Sequence, residues 1–156
     1  MKNYFYTRGI SLLETIITVA ILATILAVVI PQFGKTRETQ VLNSAVGDIL
    51  SSINKARTQT LASVDSSSFG VRFETNEIII FKGTSFSQND PDNQEIPILS
   101  PASISNVNLN GVSGGTGDFY FRRLSGIPSK SGAVTLASPN FSKIITITAT
   151  GAASAD

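Results

Sequence analysis

The chain has 156 residues, 42% of them hydrophobic, and its 12 Lys and Arg against 11 Asp and Glu leave a net charge of +1 with no Cys and no His. That length fits one domain with an extension. The missing thiols and imidazoles exclude disulfides, zinc sites built on Cys or His, and His-based acid–base or triad chemistry, and the balanced charge selects no partner.

In chain order, residues 1–9 read MKNYFYTRG and carry Lys2 and Arg8 but no acid, so the remainder holds 10 basic and 11 acidic side chains, a balance of −1. Such a remainder exerts no bulk pull on nucleic acid. Residues 10–30, ISLLETIITVAILATILAVVI, contain one charge, Glu14. As a helix this run spans roughly 32 Å, about one bilayer core. A soluble core helix is seldom apolar all round for this long, so a membrane span is expected. Lys2 and Arg8 favour a cytoplasmic leading end, but Lys35 and Arg37 after the span weaken that asymmetry, so charge carries only part of the orientation. A secretory signal peptide would be shorter and would end in a small-x-small cleavage site, which VVIPQF does not offer.

Pro31 ends the apolar run and predicts a kink or a new turn. Helical periodicity then resumes through Leu42, Val46, Ile49, Leu50, Ile53, Ala56 and Leu61, with Asn43, Ser44, Asp48, Ser51, Ser52 and Lys55 between them. This is an amphipathic helix with one apolar stripe. Span and stripe together predict one kinked helix of about 55 residues, roughly 80 Å long.

From Phe69 the period becomes two. FGVRFE sets Phe69, Val71 and Phe73 against Gly70, Arg72 and Glu74, and Thr75–Asn76 turn the chain into EIIIFK, so residues 69–82 read as a hairpin. The polar loop GTSFSQNDPDNQE follows, then weaker strands at IPILS and residues 104–109, a glycine loop NGVSGGTGD, the strand DFYFRR, the turn SGIPSKSG, and strands GAVTLAS and FSKIITITAT, before a frayed tail GAASAD. The expected class is α+β: a long N-terminal helix, half transmembrane and half amphipathic, packed on a small antiparallel head of six or seven strands. Phe69, Phe73, Phe81, Phe119 and Phe121 are expected to pack the sheet on the helical stripe. The plan is a leader at 1–9, a membrane and filament-core helix at 10–30, an amphipathic helix at 31–64 and a β-rich head at 65–156.

Glu14 is the informative residue. A carboxylate in hydrocarbon is costly and is usually kept for function. The nearest basic side chain before it is Arg8, six residues away. Cleavage after Gly9 would create another partner, the α-ammonium of Ile10, close to Glu14 in its own chain and able to pair with the Glu14 of a neighbouring chain. Such a pair would set the axial stagger of an assembly, and breaking it in a low dielectric would be costly.

The stretch RGISLLETIITVAILATILAVVIPQF resembles the N-terminus of type IV prepilins and type II secretion pseudopilins, which have a short basic leader ending in Gly, a hydrophobic first mature residue, and Glu and Pro at set distances beyond it. Arg8–Gly9, Ile10, Glu14 and Pro31 stand at the matching places. The resemblance implies cleavage between Gly9 and Ile10 by prepilin peptidase, N-methylation of Ile10, and assembly of the helices into a filament with Glu14 paired to a neighbour's amine. Ile10 stands where Phe or Met is usual, and Ala23 where major pilins commonly carry Gly. Downstream, ILSSINKARTQTLAS, FYFRRLSGIPSKSGAVTLAS and KIITITATG are similar to the H-type pseudopilins and their minor-pilin relatives, with Ala56–Arg57, Phe121, Gly126, Gly132 and Gly151 matching.

The resemblance implies a minor pilin or pseudopilin, a structural subunit of a type IV pilus or a type II secretion pseudopilus. Its implied partners are other subunits, prepilin peptidase and the inner-membrane assembly platform. Its implied location is the inner membrane, single-pass, with the head outside the cytoplasm, and then an extracellular or periplasmic filament. Neither an enzyme nor a cofactor is expected. The alternative is a DNA- or cargo-binding minor pilin of a competence or uptake pilus.

Other signals are weaker. Some relatives bind DNA through a basic motif after the last glycine, whereas Gly151 here precedes AASAD. Arg122 and Arg123 would point to opposite faces of a strand, so with Lys130 and Lys143 they read as solvated charge, and nucleic acid is not expected as a partner. Asp90, Asp92 and Glu95 are a weak calcium candidate without a full ligand loop, and an exposed turn is the preferred reading. GVSGGTG lacks the Lys-Ser/Thr and the helix of a phosphate loop.

Overall fold

The computed structural model describes residues 11–156. Gly9 and Ile10 lie outside the described residues. The fold is α+β, as the two periodicities require: one helix, α1 (Leu12–Leu61), precedes nine strands. α1 is a single 50-residue helix that continues through Pro31.

The chain forms two compact units, Met1–Thr36 and Arg37–Asp156. In the first, the helical residues expose every large apolar side chain, from Leu12 at 80% to Phe33 at 69%, including Ile16, Ile17, Leu22, Ile25 and Val29. The threonine hydroxyls among them bond back to the helix itself. The hydroxyls of Thr15, Thr18 and Thr24 donate to the carbonyls of Ser11, Thr15 and Ala20 at 3.3, 2.9 and 2.8 Å. Back-bonding of this kind leaves these hydroxyls satisfied where no water is available. The helix is long and apolar enough here to cross a membrane.

In the second unit the helix buries Leu42, Ala45, Val46, Ile49, Ile53 and Ala56, at the three- and four-residue spacing of one face. The next inward place falls on Thr60, fully buried, while Leu61 is left largely exposed. Four strands, β1 (Phe69–Glu74), β2 (Glu77–Lys82), β3 (Gln94–Pro97) and β6 (Gly117–Tyr120), form one antiparallel sheet in the order β3-β2-β1-β6. The other five, β4 (Ser103–Leu109), β5 (Val112–Gly114), β7 (Gly132–Ala137), β8 (Ser142–Ile147) and β9 (Ala153–Ala155), form a second in the order β5-β4-β7-β8-β9. Both sheets share a single core with the helix, in which Val71, Phe73, Ile78, Ile80, Phe119, Phe121, Val134, Leu136 and Ile145 meet the helical stripe.

Several expectations are corrected. The head has nine strands in two sheets, rather than six or seven. The expected glycine loop supplies β5 and opens β6, because Asn110 and Gly111, at φ 52 and 82, make a tight reversal between Leu109 and Val112. The strand expected at IPILS lies earlier, at β3, and Ile98 instead is a buried plug. The tail is paired: Ala153–Ala155 line the edge of β8, with Asp156 and Ile144 exchanging both backbone bonds. Phe81 lies outside the shared core, because Ile78 and Ile80 take the inward places on β2 and alternation sends Phe81 to the opposite face. There it meets Phe86 edge-on at 5.7 Å, and the Arg72 guanidinium stacks 4.6 Å from the Phe86 ring.

Candidate functional site

Glu14 sits in the first turn of α1, where the unpaired N–H groups of a helix start favour an anion. It is exposed, as are Leu12, Leu13, Ile16 and Ile17 on either side. Among the described residues Glu14 forms no ion pair; those present are Arg72–Glu74, Arg72–Asp118, Lys82–Asp65, Lys82–Asp92 and Lys130–Asp118. A carboxylate accepts through two oxygens and donates nothing. On a lipid-facing helix such a group calls for a cationic donor from elsewhere.

The calcium candidate does not assemble. Asp90 Oδ1 accepts the Asp92 backbone N–H at 3.0 Å, and Asp92 Oδ2 lies 3.4 Å from Lys82 Nζ. Glu95 is on β3, paired across from Ile79. No group of three or more metal-ligating carboxylates forms among the described residues. Lys82 also meets Asp65 Oδ2 at 3.0 Å, so it joins the turn after α1 to the 83–93 loop. The hydrogen bond to Asp65, then that to Asp92, raises the Lys82 pKa above its ordinary value.

The glycines and arginine of the downstream motif converge. Arg57 donates from Nη2 to the Thr150 carbonyl at 3.1 Å. Its guanidinium lies over two glycines in left-handed conformation, Gly126 (φ 62) and Gly151 (φ 82), and a Cβ on either would stand 3.3 Å from Arg57 Nε. A Cβ on Gly151 would also meet the Gly126 carbonyl oxygen at 2.7 Å and Phe121 Cε1 at 3.1 Å. One knot thus ties the end of α1 to the segments after β6 and β8. Gly132 stands apart from it, against β4.

Thr60 closes the same region from within. Its Oγ1 donates to the Ala56 carbonyl at 2.8 Å and accepts the Phe69 N–H at 2.9 Å, starting β1 against the last turn of the helix. Thr60→Val keeps the shape but strands the Phe69 N–H, so a loss of about 1–3 kcal/mol is expected. Urea unfolding of the full chain in mild detergent would read this as a lower midpoint at unchanged slope.

A cleft of about 310 Å³ lies between β4–β5 and β6, lined by Val107, Leu109, Val112, Asp118 and Lys130. Its two charges are engaged with each other, since Lys130 Nζ donates to the Asp118 carbonyl at 2.7 Å and lies 3.8 Å from the Asp118 carboxylate.

No protein-family model, curated protein or solved structure matches this chain. Its functional reading therefore rests on Glu14, on the exposed apolar helix that carries it, and on the β-rich unit that follows. Arg122 and Arg123, expected on a strand, lie beyond β6 in a turn that the Arg122 N–H closes onto the Ile127 carbonyl. Both side chains are exposed there.

Proposed function

We propose that the chain is a minor pilin or pseudopilin, a non-enzymatic structural subunit of a type IV pilus or a type II secretion pseudopilus. Prepilin peptidase cuts between Gly9 and Ile10, and Ile10 is then methylated on its new amine. The mature chain waits in the inner membrane with its head outside the cytoplasm, and the assembly platform passes it into a filament. There the apolar helix packs among other subunits' helices, and Glu14 accepts the α-ammonium of a neighbour.

The observation that carries this reading is the lone carboxylate in the first turn of an apolar helical stretch whose large side chains are all exposed, joined to a separately compact β-rich unit. A plain membrane anchor needs no acid in its span. A subunit that moves from lipid into a helical bundle needs a polar contact to specify register, which is the best-attested use of a buried charge.

Processing tests the reading directly. The intact mass of native protein should correspond to a chain starting at Ile10, with one added methyl group. Gly9→Val should leave residues 1–9 attached, because the branched side chain cannot enter a cleavage site shaped for glycine. Residues 1–9 found still attached in assembled wild-type filaments would overturn the proposal.

A further inference from the structure

The end of the head where α1 stops carries a second unpartnered surface. Leu61, Val64, Leu124 and Ile127 are exposed there, Leu124 at 70%. The segments that bear them abut: the Leu124 N–H reaches the Thr60 carbonyl at 3.5 Å, Arg123 Nε donates to Ser63 Oγ, and a Cβ on Gly126 would stand 3.0 Å from Leu61 Cδ2. Arg122 and Arg123 flank Leu124 in the chain, and Arg57 lies beneath Gly126. None of these three arginines forms an ion pair among the described residues, whereas Arg72, Lys82 and Lys130 all do. Leu124 also holds φ 63, a left-handed conformation disfavoured for a leucine, while its side chain points into solvent. Folding gains nothing from a leucine so placed.

We infer that this arginine–leucine surface docks an acidic segment of a partner protein, one that alternates carboxylates with aliphatic side chains. Carboxylates accept the guanidinium N–H groups that Thr150 and Ser63 leave over, and aliphatic side chains cover Leu61, Leu124 and Ile127. Nucleic acid fits less well. Single strands are held by stacking on aromatic rings, and none of the exposed large hydrophobics here is aromatic. Duplex binding needs a longer track of basic groups, and two of these three guanidinium groups are already tied to Thr150 and Ser63. The inference does not depend on the filament reading.

Fluorescence anisotropy with the full chain in detergent micelles tests it, with empty micelles as blank. The probes are a labelled peptide of alternating Glu-Glu and Leu-Leu pairs, an all-glutamate peptide of equal length, and single- and double-stranded oligonucleotides. The mixed peptide should bind about tenfold or more tightly than the others, and binding should weaken as salt rises. Arg122→Ser combined with Arg123→Ser should weaken it about tenfold or more. Leu124→Asn should do the same while keeping or raising the melting temperature, because asparagine tolerates the left-handed backbone. Absence of binding, equal binding of the all-glutamate peptide, tighter binding of an oligonucleotide, or unchanged binding by Leu124→Asn would each overturn the inference.

Discussion

Glu14→Leu should leave membrane insertion and leader removal intact while cutting filament incorporation by two orders of magnitude or more. Insertion should if anything improve, since an acid costs up to about 2.5–3.5 kcal/mol at the centre of a span and less near its end, where Glu14 stands, while leucine contributes favourably. The proposed cleavage falls before Glu14, on the bond after Gly9, so the mature mass should shift only by the substitution. Assembly is where the loss falls. Removing one partner of an ion pair in low dielectric leaves the other charge uncompensated, at about 3–5 kcal/mol, which is a factor of roughly a hundred to several thousand in an equilibrium. Comparing the variant's share of membrane and sheared-filament fractions with that of wild type checks this. Normal incorporation of Glu14→Leu would remove charge pairing from the mechanism. Such a result would recast α1 as a plain anchor whose acid sits at the interface.

Gly132→Ala should be the most damaging single methyl in the head. A Cβ there would stand 1.9 Å from the Asn108 carbonyl oxygen, 2.9 Å from its carbon and 3.0 Å from Leu109 Cα. All three obstacles are backbone, so no rotamer change relieves them. Relief requires β4 and β7 to separate, and β7 is the central strand of its sheet, pairing with β4 on one side and β8 on the other. The expected loss is at least about 3 kcal/mol, a large part of the 5–15 kcal/mol typical of a domain. Gly47→Ala supplies the contrast: an added Cβ meets nothing within 4 Å on the helix surface, and a gain of about 0.5–1 kcal/mol is expected. Thermal unfolding of the two variants side by side, followed by far-ultraviolet circular dichroism, should move the melting point in opposite directions. A Gly132→Ala protein that melts with wild type would show that β4 yields without loss.

The resemblance at the N-terminus and that in the head carry different weight. Gly9, Ile10, Glu14 and Pro31 are close together in one local segment, so their spacing was legible before any folding was known. The downstream positions are scattered over almost a hundred residues, and no spacing rule joins Arg57 to Gly151. Arg57, Phe121, Gly126 and Gly151 nevertheless meet, because Gly126 and Gly151 each make a left-handed turn and leave room for Arg57, while Gly132 stands apart against β4. The arginine–leucine surface was missed for a related cause. The alternation of DFYFRR places Arg122 and Arg123 on opposite faces of a strand, yet the chain leaves β6 at Tyr120 and turns at Leu124. The one warning in the sequence was the short distance from Arg122 to the Gly126 turn.

By itself the sequence determined the α+β class, the apolar helix with its single acid, the inward helical stripe and the 69–82 hairpin. These follow from periods of 3.6 and 2 within continuous segments, which need no knowledge of a distant partner. Only the tertiary structure decided that there are two sheets, that Phe81 turns away from the shared core, that Ala153–Ala155 form an edge strand, and that Thr60 rather than Leu61 faces inward. Ala-Ser-Ala has no strand preference of its own, and it is held by the open edge of β8 and by the packing of Ala153 and Ala155 against the core. Thr60 faces inward because the Phe69 N–H, brought there by the sheet, requires an acceptor that leucine does not have.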